Sequence, residues 1–126
     1  MIRQRVAALP LIVGVAATVL APAARASDAV TYEVVSDSIP QVSVEYVDES
    51  GRKLLTSVPL PWRLNVTLDD ARGPIGPGAQ VRADWRPIAA PAHWVIVRIY
   101  QGADLLCQST LDVGNATCYG NTPHVS

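Results

Sequence analysis

Residues 58–68 read Val58-Pro-Leu-Pro-Trp-Arg-Leu-Asn-Val-Thr-Leu68. From Trp62 the chain alternates, with Trp62, Leu64, Val66 and Leu68 on one side and Arg63, Asn65, Thr67 and Asp69 on the other. Successive side chains of a strand point to opposite faces, so this is a half-buried β-strand with one wet face. Pro59 and Pro61 have no backbone N–H and sit outside a central ladder, just ahead of the strand. They set the angle at which Trp62 enters the core as a plug.

Working outward, segments of the same kind recur about every ten residues, with turn residues between them, and this is the pattern of an all-β sandwich. Val30–Val35 is rich in β-branched residues. Gln41–Val47 alternates with Val42, Val44 and Tyr46 inward, and Gly51 closes the turn into Lys53–Val58. Asp69–Gly78 holds two prolines and three glycines and reads as a loop. Ala79–Arg86 alternates again around Val81, Ala83 and Trp85. Leu105–Leu111 and Ala116–Tyr119 form a closing hairpin, and the tail from Gly120 has no pattern.

Trp94–Tyr100 stands apart. Val95, Val97 and Ile99 fill one face, while Trp94, Ile96 and Tyr100 make the other face apolar around Arg98. Such a strand is central, or a loop, ligand or partner covers it. The Gly73–Gly78 loop is one candidate cover. Trp94, Ile96, Arg98 and Tyr100 are therefore the candidate partner or ligand face.

Three of the ten basic residues, Arg3, Arg5 and Arg25, lie in residues 1–26, which contain no acid; residues 27–126 carry seven basic against eleven acidic residues. With no basic patch there is no electrostatic footprint for nucleic acid. Residues 1–26 have the layout of a signal peptide: a basic start, an apolar stretch from Val6, and Ala24-Arg25-Ala26 as a small-x-small cleavage site. Val6–Ala24 is nineteen residues, close to the roughly 20 that span a bilayer, so an uncleaved anchor is the alternative. Residues 27–126 are the β-sandwich domain, exported to the cell envelope or beyond it.

Cys107 and Cys118 are the only cysteines, eleven apart. In an oxidising compartment they read as one disulfide across the closing hairpin; two free buried thiols are the alternative. His93 and His124 lack zinc-type spacing to them. Asp69-Asp70 is too small a carboxylate set for calcium. There is no Gly-x-Ser-x-Gly elbow and no phosphate-binding Gly-Lys-Ser/Thr, so no catalytic, cofactor-binding or metal-ligating residue is assigned. Asn65-Val66-Thr67 and Asn115-Ala116-Thr117 match the glycosylation sequon, but their positions equally suit an outward strand residue and a turn.

With these pieces placed, the chain resembles the mycobacterial MmpS family, small membrane-associated accessory proteins of RND-type lipid and siderophore exporters. The matching segments run in order: Val30-Thr31-Tyr32-Glu33-Val34, Val44-Glu45-Tyr46-Val47-Asp48-Glu49-Ser50-Gly51, Leu60-Pro61-Trp62, Val97-Arg98-Ile99-Tyr100-Gln101-Gly102, and Cys118 at the final cysteine. The likeness spans residues 30–119. It departs in two places: the family's first cysteine falls at Val97, with Cys107 one strand later, and the family usually keeps an N-terminal anchor. The resemblance implies an immunoglobulin-like β-sandwich of about seven strands that acts as a non-enzymatic adaptor. Its partner would be an RND-type transporter, and its cargo a lipid or siderophore. A soluble carrier of a small apolar ligand is the alternative, with a secreted hydrolase as a distant third.

Overall fold

The computed structural model describes residues 27–126, and the expected leader or anchor, residues 1–26, lies outside the described residues. The described residues form nine strands: β1 (Asp28–Val35), β2 (Gln41–Asp48), β3 (Gly51–Pro59), β4 (Trp62–Leu68), β5 (Gln80–Asp84), β6 (Val95–Gln101), β7 (Asp104–Leu111), β8 (Asn115–Tyr119) and β9 (His124–Val125). They build two packed sheets, ordered β4-β1-β6-β7-β9 and β3-β2-β5-β8. The expected all-β sandwich is present. Nine strands exceed the about seven that the resemblance implied; β9, which pairs parallel to β7, is the one with no counterpart among the segments read from the sequence. Both of its residues are exposed, so it has no alternation to read.

The core follows from the alternation. Val30, Tyr32 and Val34 of β1 and Val95, Val97 and Ile99 of β6 point inward from one sheet. Val42 and Val44 of β2, Val81 and Ala83 of β5, and Ala116 and Cys118 of β8 meet them from the other; all are buried. β6 is apolar on both faces because it is interior to its sheet, between β1 and β7.

β7 and β8 are not a hairpin. β7 pairs with β6 and β9, while β8 pairs with β5 in the other sheet. The expected closing ladder is instead a corner that carries the chain across the sandwich. Gly114 makes this corner possible: its φ is +101°, and a Cβ there would come within 2.5 Å of the Arg86 side chain. The disulfide between Cys107 and Cys118 does form, with Cα atoms 5.7 Å apart, but it joins the two sheets rather than two neighbours in one. Alternation shows which way each cysteine faces and not which strands are neighbours.

Trp62 also differs from expectation. β4 is the outermost strand of its sheet, so Trp62 is half-buried rather than a sealed plug. Its ring lies 5.8 Å from Tyr46, whose ring lies 6.0 Å from Tyr32. Tilted pairs at these separations are favourable aromatic contacts.

Tyr32 holds the layers in register. Its hydroxyl donates to the Val47 carbonyl of β2 at 2.6 Å and accepts from the Gln80 amide of β5 at 3.2 Å. Burial pushes the phenol up to about 12 from its ordinary 10.0. Tyr32→Phe leaves both backbone groups unpaired, and urea unfolding should show a loss of about 1–3 kcal/mol. The raised folded value means that an unfolded chain releases this proton first. The contribution is therefore complete below pH 10 and disappears as pH rises toward 12. That loss, about 2–3 kcal/mol at 1.36 kcal/mol per pH unit, should be measurable in the wild type and absent in Tyr32→Phe.

The disulfide closes a loop of sequence separation 11. Replacing Cys107 and Cys118 together by Ala should cost about 3 kcal/mol in the chain-entropy account. Thermal unfolding with and without reductant, on both forms, checks this: reductant should lower the wild-type midpoint and leave the double variant unmoved.

Candidate functional site

The candidate face is the outer surface of the five-stranded sheet. Cross-strand register decides what lies there. Glu33 of β1 pairs with Arg63 of β4 on one side and Arg98 of β6 on the other, and Arg98 pairs with Gln108 of β7. Paired residues of neighbouring strands share a face, so these four form a row across four strands. Arg63 Nη1 reaches Glu33 Oε2 at 3.0 Å, and Arg98 Nη1 reaches Glu33 Oε1 at 2.8 Å. Arg98 Nε donates to Gln108 Oε1 at 2.7 Å.

One row along the sheet, Thr31 pairs with Asn65 and Tyr100. The Thr31 hydroxyl donates to Asn65 Oδ1 at 2.8 Å. The Arg63 guanidinium lies 5.7 Å from the Tyr100 ring centre, within cation–π range. On the opposite side of the charged row, Ile96 pairs with Val35 and Thr110. Ile96, Arg98 and Tyr100 thus share one face of β6. Trp94 precedes the strand and is 48% exposed. Its carbonyl accepts from the Ser36 hydroxyl at 2.6 Å. Trp94 and Ile96 border a cleft of about 160 Å³ with Val35 and residues 36–38.

The face is therefore divided. Arg98 and Tyr100 are occupied by partners within the chain, whereas Trp94 and the edge of Ile96 face a surface cleft. Glu33, Arg63 and Gln108 complete the face and escaped the sequence reading. Their outward parity was legible, but the register that aligns them was not.

The Gly73–Gly78 loop does not cover this face. It lies at the far end of β6, where Arg72 Nε donates to Gln101 Oε1 at 3.2 Å. There it lines a cleft with the β2–β3 turn, over Val47. The Asp70 carboxylate is used inside this loop, accepting from the Arg72 amide at 3.2 Å. Among the described residues no group of three or more His, Cys, Asp or Glu side chains is placed to hold a metal ion. No helix among them is long and apolar enough to cross a membrane.

No protein-family model matches the chain, and no curated protein matches it.

The geometry of the charged row has a direct consequence. The Glu33 side chain is only 15% exposed and serves two arginines, while that of Arg63 is 62% exposed. Glu33→Gln removes the charge that Arg98 is half-buried against and should cost about 1–2 kcal/mol. Arg63→Ala, at the exposed end, should fall within about 0.5 kcal/mol of wild type. Chemical denaturation of the two variants at low and high salt separates them.

Proposed function

We propose that this protein is an exported accessory domain that works through its surface, as an adaptor beside an RND-type lipid or siderophore exporter. The observation that carries an adaptor over a carrier is the filled interior. The space between the sheets is occupied by Tyr32, Val34, Val97, Ile99 and the Cys107–Cys118 bridge, all buried. A small apolar ligand would have to displace packed core, whereas a protein partner needs only the cleft at Trp94 and Ile96. Trp94 is a large, incompletely buried aromatic at that cleft, and tryptophan is among the residues that dominate interface energetics.

Two further points support the transport reading. The segments that resemble the MmpS family fall on β1, β2 and its turn into β3, the Leu60-Pro61-Trp62 corner, β6 and β8, spread over both sheets. Val97, where that family places its first cysteine, has its carbonyl oxygen 3.7 Å from Cys118 Sγ. A cysteine at 97 would therefore be a neighbour of Cys118, and this chain reaches the same sulfur from β7. The disulfide accords with an oxidising compartment outside the cytoplasm.

The test is a photo-crosslinking amino acid at position 94 in the protein's own cells. A crosslink to a polytopic membrane transporter is expected, and Ile96→Asp, folded by circular dichroism, should abolish it. A lipid retained in native mass spectrometry, with no membrane protein crosslinked, would overturn the adaptor in favour of the carrier.

A further inference from the structure

The five-stranded sheet ends on β4, and among the described residues no strand pairs with the far edge of β4. An open edge is a row of unpaired N–H and C=O groups, and sandwiches blunt it with bulges, prolines, lysines or very short strands. The other edges here are blunted in those ways. β3 contains Lys53, a register shift against β2, a left-handed Ser57 with φ 54° and a terminal Pro59. β8 has five residues and β9 two. β4 has seven, pairs with β1 without a register shift, and contains neither proline nor lysine.

The space beside β4 is shaped for one more strand. β3 extends the facing sheet past β4, and its extensive contacts are with β2. From Leu54 to Ser57 it is exposed on both faces. Leu55 pairs with the inward-facing Val44, yet it is 37% exposed. Across from it, Trp62, Leu64 and Val66 point inward and remain half-buried. Tyr46, Leu64 and Val66 line a cleft of about 290 Å³ whose remaining lining is polar: Asp48, Glu49, Asn65 and Thr67. This arrangement is an overhang with an apolar inner side along β4, polar groups toward the β2–β3 turn, and a hydrogen-bonding edge.

We propose that the free edge of β4 is a strand-docking site for an extended segment of another protein. The segment adds a sixth strand to the sheet, with apolar residues at alternate positions under β3 and an acidic residue beside Arg63. β1 supplies the template, because it pairs with the opposite edge of the same strand. There Val30, Tyr32 and Val34 sit opposite Val66, Leu64 and Trp62, and Glu33 sits opposite Arg63. A strand on the free edge meets the same alternation. Arg63 engages Glu33 through Nη1, and its other guanidinium N–H groups are available to a second carboxylate. Charge complementarity thus selects an acidic residue at that register. A second copy pairing β4 to β4 would bring its own β3 into the same space, so a lone strand is the better fit. This inference does not rest on the transport reading.

The probe is a synthetic peptide with the sequence of residues 28–35, Asp-Ala-Val-Thr-Tyr-Glu-Val-Val, titrated into the oxidised, exported protein labelled with nitrogen-15. Amide resonances of residues 62–68 should shift in a saturable way. The same peptide N-methylated throughout its central four residues should produce no shift, because strand addition needs those N–H groups. Replacing the peptide's Glu by Lys should weaken binding at least about fivefold, through repulsion from Arg63. Leu64→Lys, an inward charge on the edge, should weaken binding at least about tenfold in a protein whose remaining spectrum is unchanged. Silence at residues 62–68 up to about 1 mM peptide, the weak end of specific affinity, overturns the proposal. So does an equal response to the N-methylated peptide, which requires no folded variant. Concentration-dependent dimerisation that protects the 62–68 amides from exchange also overturns it, in favour of a second copy.

Discussion

One hydroxyl group fixes how the two layers meet. Apolar packing between sheets is strong but non-directional, and it tolerates small sliding movements. The Tyr32 hydroxyl does not, because it bonds to a carbonyl of β2 and an amide of β5 at once. A displacement of either strand leaves a buried polar group unpaired, at a cost comparable to a large share of a small domain's stability. Tyr32 also begins the aromatic series through Tyr46 to Trp62. The clamp therefore sets the position of β4 as well as that of the core. On the other flank the Cys107–Cys118 bridge ties β7 to β8. The sandwich is pinned once on each side of β6, by a hydrogen-bonded phenol and by a covalent link.

These two pins leave the flanks unequal. At the β7–β8 flank the chain itself crosses between sheets, the bridge lies behind the crossing, and β9 covers part of the β7 edge. At the β3–β4 flank the chain crosses at the Leu60-Pro61 corner with no disulfide behind the crossing, and among the described residues β3 pairs only with β2. Its loss of alternation from Leu54 to Ser57 is a consequence: with no strand facing that stretch, neither side of it is buried, so inward and outward positions become equivalent to solvent. Leu54 and Leu55 are both exposed for this reason.

Much of this was legible in the sequence, because most strands are half-buried and half-buried strands alternate. β1, β2, β4 and β5 declared themselves in that way, and the inward set Val81, Ala83 and Trp85 is buried as read. Three things were not legible, each for a physical reason. Sheet membership is a long-range property, so Cys107 and Cys118 face each other across the sandwich while their spacing suggested a ladder. β9 consists of two exposed residues held by backbone bonds, which leave no side-chain signature. The outer-face row of Arg63, Glu33, Arg98 and Gln108 depends on register among four strands, and local periodicity carries no register information.

The same row changes what the apolar outer residues of β6 mean. An arginine among aromatics on a sheet surface looks, strand by strand, like a binding surface waiting for a partner. In the assembled sheet the Arg98 charge is offset by Glu33, and Tyr100 is capped by Arg63. A partner docking there would have to break charge-assisted bonds that are already made, and truncating or displacing one member leaves another half-buried and unpaired. The energetic opening is therefore at the two places the row does not reach. One is the Trp94–Ile96 cleft, where side-chain burial is incomplete. The other is the β4 edge, where backbone groups are. Recognition at the first is a matter of shape and apolar area. At the second it is a matter of strand geometry, and Arg63, at the end of the row, is the residue that faces both the sheet and the open edge.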